Sequence, residues 1–305
     1  MTKPMTWTGV LPAITTNLRA NGAIDHPALA RHCRWMIDSG CRGIVCCGSL
    51  GESAALSFAE KIAVVATCVR GVRGRAPVVV GIAALSTAEA VALARAAAKA
   101  GASGLMVLPP YAYSTDWFEM KAHVVAVIRA TRLSCMLYNN PIAYKTDFLP
   151  AQIAELAAEL PNLAAVKEST GDTRRVTALR AILGNRLTLL VGMDDAIVEG
   201  LRVGAEGWVA GLVNAFPLET VALFNAAVAG DTARADAIYR WFLPLLRLDT
   251  VPKFVQLIKL VQAETGTGAV TVRPPRLEVT GDERAAALAV LRTALRSRPK
   301  LERGS

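Results

Sequence analysis

The chain has 305 residues, of which 53% are hydrophobic and 19% charged, so it can bury a large core and is not a disordered chain. No apolar run reaches the roughly 18 residues that cross a bilayer, and residues 1–10 lack the apolar centre of a signal peptide. Part of the net charge of +9 lies in the C-terminal tail, without the interleaved aromatic residues or the recognition motif of a nucleic-acid site. We therefore expect a solvated basic helix end and no nucleic-acid partner.

The cysteine pattern predicts the compartment. The six cysteines show no C-x-x-C spacing, and the adjacent Cys46 and Cys47 make a poor disulfide pair. The sequence therefore predicts buried thiols in a reducing cytoplasm.

Short β-rich runs alternate with longer alanine-rich runs up to residue 211. Strands are predicted at residues 10–15, 43–47, 78–82, 105–108, 134–138, 163–167, 187–191 and 208–211. They recur roughly every 20 to 35 residues, which is the spacing of successive βα units. Fully apolar strands predict a parallel sheet covered on both faces. Eight such units predict a closed (β/α)8 TIM barrel.

Capping residues predict where the helices between the strands begin. Asp25 predicts the N-cap of the first helix, and Ser57 with Glu60 predicts a capping box before the second. After the eighth strand, three helices are predicted at 232–246, 252–264 and 282–298. We therefore predict a barrel over residues 1–229 and a C-terminal three-helix extension over residues 230–305 that packs on it.

Polar segments follow several of the predicted strands. In a TIM barrel the reactive side chains come from the C-terminal ends of the strands and the loops after them. The segments that fit this position are Gly-Ser-Leu-Gly-Glu-Ser at 48–53, Pro-Pro-Tyr at 109–111, Tyr-Asn-Asn-Pro at 138–141, Lys-Glu-Ser at 167–169 and Gly-Met-Asp-Asp at 192–195.

Lys167 closes the apolar run 163–166, so the chain carries an amine to the mouth of the barrel. A buried ammonium without a partner is costly, which favours the neutral, nucleophilic amine. Such an amine condenses with a ketone, and the resulting iminium draws electrons for C–C cleavage, C–C formation or loss of a β-substituent. From the residues alone, an ion pair with Glu168 or with a neighbouring strand-end acid is the alternative.

Three more residues are candidates. Tyr138 ends strand five beside strand six, where a tyrosine can pass protons to an imine, although an ordinary core aromatic is an equal alternative. Ser49 lies between glycines whose N–H groups can point at an anion, or the segment is only a tight βα turn. Tyr111 follows two prolines on a stiff loop and could project across a subunit contact.

Other types of chemistry lack support in the sequence. His26, His32 and His123 fall in predicted helices or at a helix start, away from the strand ends. This argues against a His-ligated metal site or a Ser-His-Asp triad at the barrel mouth, so no metal is expected. No Walker loop or G-x-G-x-x-G fingerprint is present, so no nucleotide cofactor is expected.

The segments 48–53, 109–111, 138–141 and 166–170 occur in the order and at the spacing found in the dihydrodipicolinate synthase / N-acetylneuraminate lyase family. The chain resembles this family from about residue 8 to residue 277. The resemblance implies a class I lyase that acts on a 2-oxo acid such as pyruvate through a Schiff base, without a cofactor, in a homodimer or homotetramer.

The resemblance also implies roles for single residues. Lys167 matches the Schiff-base lysine, and Tyr138 matches the tyrosine that shuttles protons. Ser49 matches the hydroxyl that hydrogen-bonds that tyrosine, and the backbone amides of Ser49 and Leu50 would hold the carboxylate of the 2-oxo acid. Tyr111 matches a tyrosine that reaches into the neighbouring subunit's site. The positions that match the lining of the pyruvyl pocket are Gly192 and Val209.

Two departures from the family pattern concern the substrate. Dihydrodipicolinate synthases carry an arginine five residues after the tyrosine, where this chain has Ala143, and so it lacks a bidentate carboxylate clamp. Lys145 is a weaker substitute because an ammonium cannot reproduce the guanidinium fork. Leu50 replaces the second hydroxyl of the usual pair. We therefore expect an aldolase, dehydratase or deaminase for another 2-oxo acid, with dihydrodipicolinate synthase itself as the alternative.

Two hypotheses from other functional classes have less support in the sequence. A catalytically silent member that binds a metabolite is opposed by the complete set of catalytic matches. A flavin- or phosphate-binding barrel would need a glycine-rich anion loop after strands seven and eight, where Gly192 and Gly211 alone are weak support.

Overall fold

A computed structural model describes residues 5–110 and 116–300 of the chain. Its centre is one sheet of eight parallel strands, and all eight predicted strands are present with ends shifted by a few residues at most. The strands are β1 (Gly9–Pro12), β2 (Ile44–Cys46), β3 (Val78–Ile82), β4 (Gly104–Val107), β5 (Ser134–Asn139), β6 (Leu163–Glu168), β7 (Thr188–Val191) and β8 (Gly207–Ala210).

The sheet closes into a barrel. The strand order is β1-β8-β7-β6-β5-β4-β3-β2, and every neighbouring pair is parallel. The two ends meet just after β1, where Ala13 bridges to Val45 and the Ile14 amide donates to the Val45 carbonyl at 3.0 Å. The predicted TIM barrel is thereby confirmed.

Helices follow the strands and cover the outside of the barrel. Asp25 caps the first helix and Ser57 forms the predicted capping box with Glu60. None of the helices in the described part of the chain is long and apolar enough to span a membrane. The helices are α1 (His26–Asp38), α2 (Phe58–Val72), α3 (Thr87–Lys99), α4 (Trp117–Arg129), α5 (Pro141–Tyr144), α6 (Pro150–Glu159), α7 (Arg174–Leu183), α8 (Ile197–Arg202), α9 (Pro217–Val228), α10 (Thr232–Leu246), α11 (Phe254–Glu264) and α12 (Gly281–Arg296).

The inside of the barrel is filled by alternate residues of the strands, because successive side chains of a strand point to opposite faces. Tyr138 of β5 belongs to this interior cluster, and so does Ala165 of β6. Lys167 follows Ala165 by two residues on β6, so its side chain points to the same inner face. The other strand residues of the cluster are Leu11, Val45, Val79, Met106, Met136, Leu190 and Val209.

Glycines follow the interior residues of β7 and β8 and leave space at the mouth. A Cβ added at Gly192 would lie 2.4 Å from Lys167 Cε and 1.9 Å from Ser169 Oγ. A Cβ at Gly211 would lie 2.2 Å from Asp249 Oδ1. Residues without side chains at these two positions therefore make room for the lysine and for a carboxyl group from beyond the barrel.

Three helices, α10 to α12, follow the last barrel helix, as predicted, and they pack on the barrel. The Arg298 guanidinium donates to Glu219 of α9 at 2.5 Å, and the Trp241 ring of α10 packs edge-on against Phe216, just before α9, with the ring centres 6.0 Å apart. The division of the chain into two domains at residue 230 stays a prediction.

A buried ion pair joins this C-terminal extension to the loop after β2. Lys259 of α11 contacts the Glu52 carboxylate, and both side chains are almost fully excluded from solvent. Glu52 has a left-handed backbone with φ of 57°. Its second oxygen accepts from the Arg273 amide at 2.9 Å. The C-terminal extension thus fixes the position of the loop that carries Ser49.

Replacing Lys259 with methionine should lower the free energy of unfolding by about 3–5 kcal/mol, because it leaves the Glu52 carboxylate buried without its partner. Urea titration measures this change. The matched control is Lys253→Met, which removes an exposed ion pair with Glu283 and should cost about 1 kcal/mol or less. Equal losses in the two variants would contradict the assignment.

Candidate active site

A cavity of about 420 Å³ opens at the C-terminal mouth of the barrel. The ends of β5 and β6, the loops after β2, β7 and β8, and part of the C-terminal extension surround it. Its lining includes Ser49, Leu50, Tyr138, Asn140, Ala143, Tyr144, Lys167, Gly192, Val209, Gly211, Asp249 and Arg276. The predicted strand-end residues of separate βα units therefore meet in one place.

Lys167 is 6% exposed, and its ammonium nitrogen lies 4.2 Å from the centre of the Tyr138 ring. The structure shows no ion pair to Lys167 among the residues it describes. The neighbouring Glu168 carboxylate instead accepts from Asn139 Nδ2 at 3.2 Å and from the Thr170 amide at 2.9 Å. The amine thus faces the cavity and an aromatic ring instead of the adjacent acid.

Two tyrosines stand beside the lysine, their rings at right angles and 5.8 Å apart. The Tyr138 hydroxyl accepts a hydrogen bond from Asn140 Nδ2 at 2.9 Å. The Ser49 hydroxyl was expected to bond Tyr138, but the structure pairs it with the Tyr144 hydroxyl. The physical reason is the short helix α5, capped by Asn140, which turns Tyr144 back over the cavity.

Two carboxyl groups lie close enough to Lys167 for its charge to act on them. Asp194 is fully buried and accepts from the Trp208 indole at 2.9 Å and from the backbone amides of Gly211 and Leu212. Burial raises the pKa of Asp194 to about 6, although these donors and the Lys167 charge oppose the shift. Asp249 lines the cavity itself. Burial raises the pKa of Asp249 well above the usual value, and the negative charge of Asp194 adds to this shift.

The model of the dihydrodipicolinate synthetase family matches residues 6–294. The chain belongs to this family. A 4-hydroxy-tetrahydrodipicolinate synthase from Sorangium cellulosum is 34% identical over 268 residues, which cover 88% of this chain and 89% of the relative. A 4-hydroxy-tetrahydrodipicolinate synthase from Shewanella sp. W3-18-1 is 36% identical over 227 residues, covering 74% and 77%.

Solved structures of family members superpose closely. The chloride-inhibited dihydrodipicolinate synthase from Acinetobacter baumannii, solved with pyruvate, has a TM-score of 0.90 at 27% identity and covers 95% of this chain and 99% of its own. A prophage protein of the family from E. coli K12, also solved with pyruvate, has a TM-score of 0.89 at 26% identity and covers 94% and 98%. This dihydrodipicolinate synthetase family member is accordingly a class I lyase of the Schiff-base type that acts on a 2-oxo acid.

The structure places the predicted binding positions of this family member around one cavity. Ser49, Leu50, Gly192, Val209 and Ala143 all line it. Their roles in binding stay predictions. Lys145 is exposed and is not among the lining residues, and Tyr111 lies outside the described residues.

Three side chains that line the site are not among the predicted site residues. Tyr144 was noted only as part of the pocket mouth, although the Asn-Pro pair that begins its short helix is a recognisable turn signal. Asp249 and Arg276 come from the C-terminal extension, far along the chain from the barrel strands that carry the motifs. No local pattern marks either residue as part of the mouth.

Among the residues that the structure describes, no group of three or more His, Cys, Asp or Glu side chains could hold a metal ion. The polar chemistry of the site comes from an amine, two phenols, a serine hydroxyl, an amide, a guanidinium and a carboxyl group.

Proposed function

We propose that Lys167 forms the Schiff base with the 2-oxo acid. The observation that carries this proposal is an amine buried at the floor of the cavity beside the Tyr138 ring, without an ion pair among the described residues. An amine held this way attacks the 2-oxo carbon, and loss of water gives an iminium. Pyruvate, which two structural relatives contain, is the simplest substrate for this step.

The remaining residues fit supporting roles. The backbone amides of Ser49 and Leu50 donate to no acceptor within the described chain, so both are free to bind the carboxylate of the 2-oxo acid. Tyr138 moves the protons of imine formation and of the neighbouring carbon. Ser49 and Tyr144 form a hydroxyl pair that can connect the cavity with solvent.

Borohydride reduction tests the Schiff base. The protein is incubated with pyruvate or with each of a panel of 2-oxo acids, reduced and digested, and peptide mass spectrometry should find the adduct on Lys167. A catalytically silent member would bind these acids and gain thermal stability without a trappable adduct. No adduct across the whole panel would contradict the proposal.

The second candidate is dihydrodipicolinate synthase itself, which the names of the relatives favour. Ala143 opposes it, because the site lacks a guanidinium at that position for an anionic second substrate. We expect poor condensation of pyruvate with aspartate semialdehyde, and a rise of roughly tenfold in kcat/KM when Ala143→Arg restores the clamp. A coupled reductase assay measures both.

The control for this experiment is Lys145→Arg, which places a guanidinium outside the cavity and should leave the rate unchanged. Rapid condensation by the unchanged enzyme would instead establish the synthase.

We also propose that the enzyme is a cytoplasmic homodimer or homotetramer in which Tyr111 enters the neighbouring subunit's site. All six cysteines are buried free thiols, which suits a reducing compartment. Mass photometry at working concentration tests the assembly, and a monomer with full activity would contradict it.

A further inference from the structure

We propose that Asp249 is the acid–base residue that exchanges a proton with an oxygen or nitrogen substituent on carbon 4 of the substrate, two bonds beyond the imine carbon. This inference rests on the proposed Schiff base at Lys167. It assigns the step that follows imine formation, at the hydroxyl or amino group on carbon 4 of the bound 2-oxo acid, to a residue of the C-terminal extension.

The first support is position. Asp249 ends a short turn, Arg247–Asp249, that follows α10, and this turn puts its carboxyl group into the same cavity as Lys167. Asp249 Oδ1 lies where a side chain at residue 211 would begin, and that residue is a glycine. The cavity therefore has room for this carboxyl group because β8 is followed by Gly211, a residue without a side chain.

The second support is the lack of any structural task for the carboxyl group. It makes no hydrogen bond or ion pair with any group in the part of the chain that the structure describes. The nearby Asp194 is different, because three donors hold its carboxylate and it serves the backbone after β8. Asp249 keeps its oxygens available to a molecule in the cavity.

The third support comes from the other titratable residues of the described lining. Lys167 becomes part of the imine, Tyr138 serves the imine and carbon 3, and Tyr144 is bonded to Ser49. Arg276 carries a guanidinium, a group that binds anions and does not serve as a general acid in proteins. Among the described lining residues, Asp249 therefore remains to supply the second proton, which the carbon-4 substituent needs.

The charges around Asp249 favour the protonated acid. Asp194 and Asp195 raise its pKa together with the loss of water, while Lys167 lowers it, and the net shift is upward. Arg276 faces the same cavity. An acid that keeps its proton to higher pH than an ordinary aspartic acid is suited to protonating a poor leaving group.

The step balances as follows for loss of water. The Lys167 amine and the 2-oxo carbon have formed an iminium, and the Tyr138 hydroxyl has given its proton to the water released in that step. The Tyr138 phenolate then takes the proton from carbon 3. The electron pair of that C–H bond forms the double bond between carbons 3 and 4, and the C4–O bond breaks with its pair on oxygen. Asp249 gives its proton to that oxygen, so water leaves. Hydrolysis of the imine then returns the amine, and solvent reprotonates Asp249. Loss of ammonia follows the same course.

Two measurements on Asp249→Asn test the inference. The first is imine formation with pyruvate alone, followed by borohydride trapping and by deuterium exchange at carbon 3, which needs Lys167 and Tyr138. The second is turnover of a set of 4-hydroxy- and 4-amino-2-oxo acids. We expect the first to stay within about threefold of the unchanged enzyme and the second to fall roughly 100-fold.

The pH profile adds a readout that a merely structural role would not move. If Asp249 donates its proton, kcat/KM of the unchanged enzyme falls as the pH rises through the pKa of Asp249. The Asp249→Asn variant should not show this fall. Asp249→Glu should recover part of the rate. The matched control is Asp236→Asn, on α10 and bonded to Arg202 outside the cavity, which should leave both reactions unchanged.

Three results would overturn the inference: equal turnover by Asp249→Asn, a parallel loss of imine formation in that variant, or failure of the unchanged enzyme to turn over any probe with a carbon-4 substituent. Failure of the unchanged enzyme to form an adduct with pyruvate or any other 2-oxo acid would instead contradict the proposed function, on which this inference rests.

Discussion

Replacing Lys167 with alanine should abolish the borohydride-trapped adduct and lower turnover of the best substrate by at least about 1,000-fold, because no other primary amine among the described residues lines the cavity. Such a loss corresponds to about 4 kcal/mol of activation free energy. Mass spectrometry measures the adduct, and steady-state kinetics measures the turnover.

Two further variants make this result interpretable. Lys167→Arg keeps a cation at the floor of the cavity but cannot form an imine, and it should be as inactive as the alanine variant. Lys145→Ala, at an exposed position outside the cavity, should keep full activity. A Lys167→Ala enzyme that works as fast as the unchanged one would end the Schiff-base proposal.

The second large effect is expected for Tyr138→Phe, which removes the hydroxyl and keeps the ring that packs against Lys167. Turnover should fall by about 10² to 10⁴-fold, the range for loss of a positioned acid–base group. Rapid-quench borohydride trapping should show that the adduct still forms, but slowly. The matched control is Tyr239→Phe, whose hydroxyl bonds Glu199 away from the cavity, and which should keep the rate.

Equal rates in Tyr138→Phe and the unchanged enzyme would exclude the Tyr138 hydroxyl from the proton transfer.

The barrel and the centre of its site could be predicted because they follow from local patterns. Apolar strands at βα spacing predict a closed parallel sheet, and the alternation of side chains along β5 and β6 places Tyr138 and Lys167 on the inside at the same end. The register confirms this, since Tyr138 and Lys167 lie directly opposite each other in the ladder.

The rest of the cavity wall depends on how distant segments pack, which no local period encodes. The partner of Ser49 is set by the turn of α5, a four-residue helix too short to show a hydrophobic pattern. Asp249 reaches the cavity only because the extension folds back over the barrel and β8 is followed by Gly211. Substrate choice therefore lies in the part of the structure that the sequence pattern describes least.

The buried contact between Glu52 and Lys259 has a consequence for exchanging parts between relatives. A fragment ending near residue 230 keeps all eight strands but loses Lys259. The Glu52 carboxylate, on the loop that carries Ser49, is then left without its counter-ion. A chimera that takes its tail from another relative must bring a counter-ion for Glu52, or replace both partners together. The two regions are separable by topology, yet this ion pair joins them and has to be exchanged as a pair.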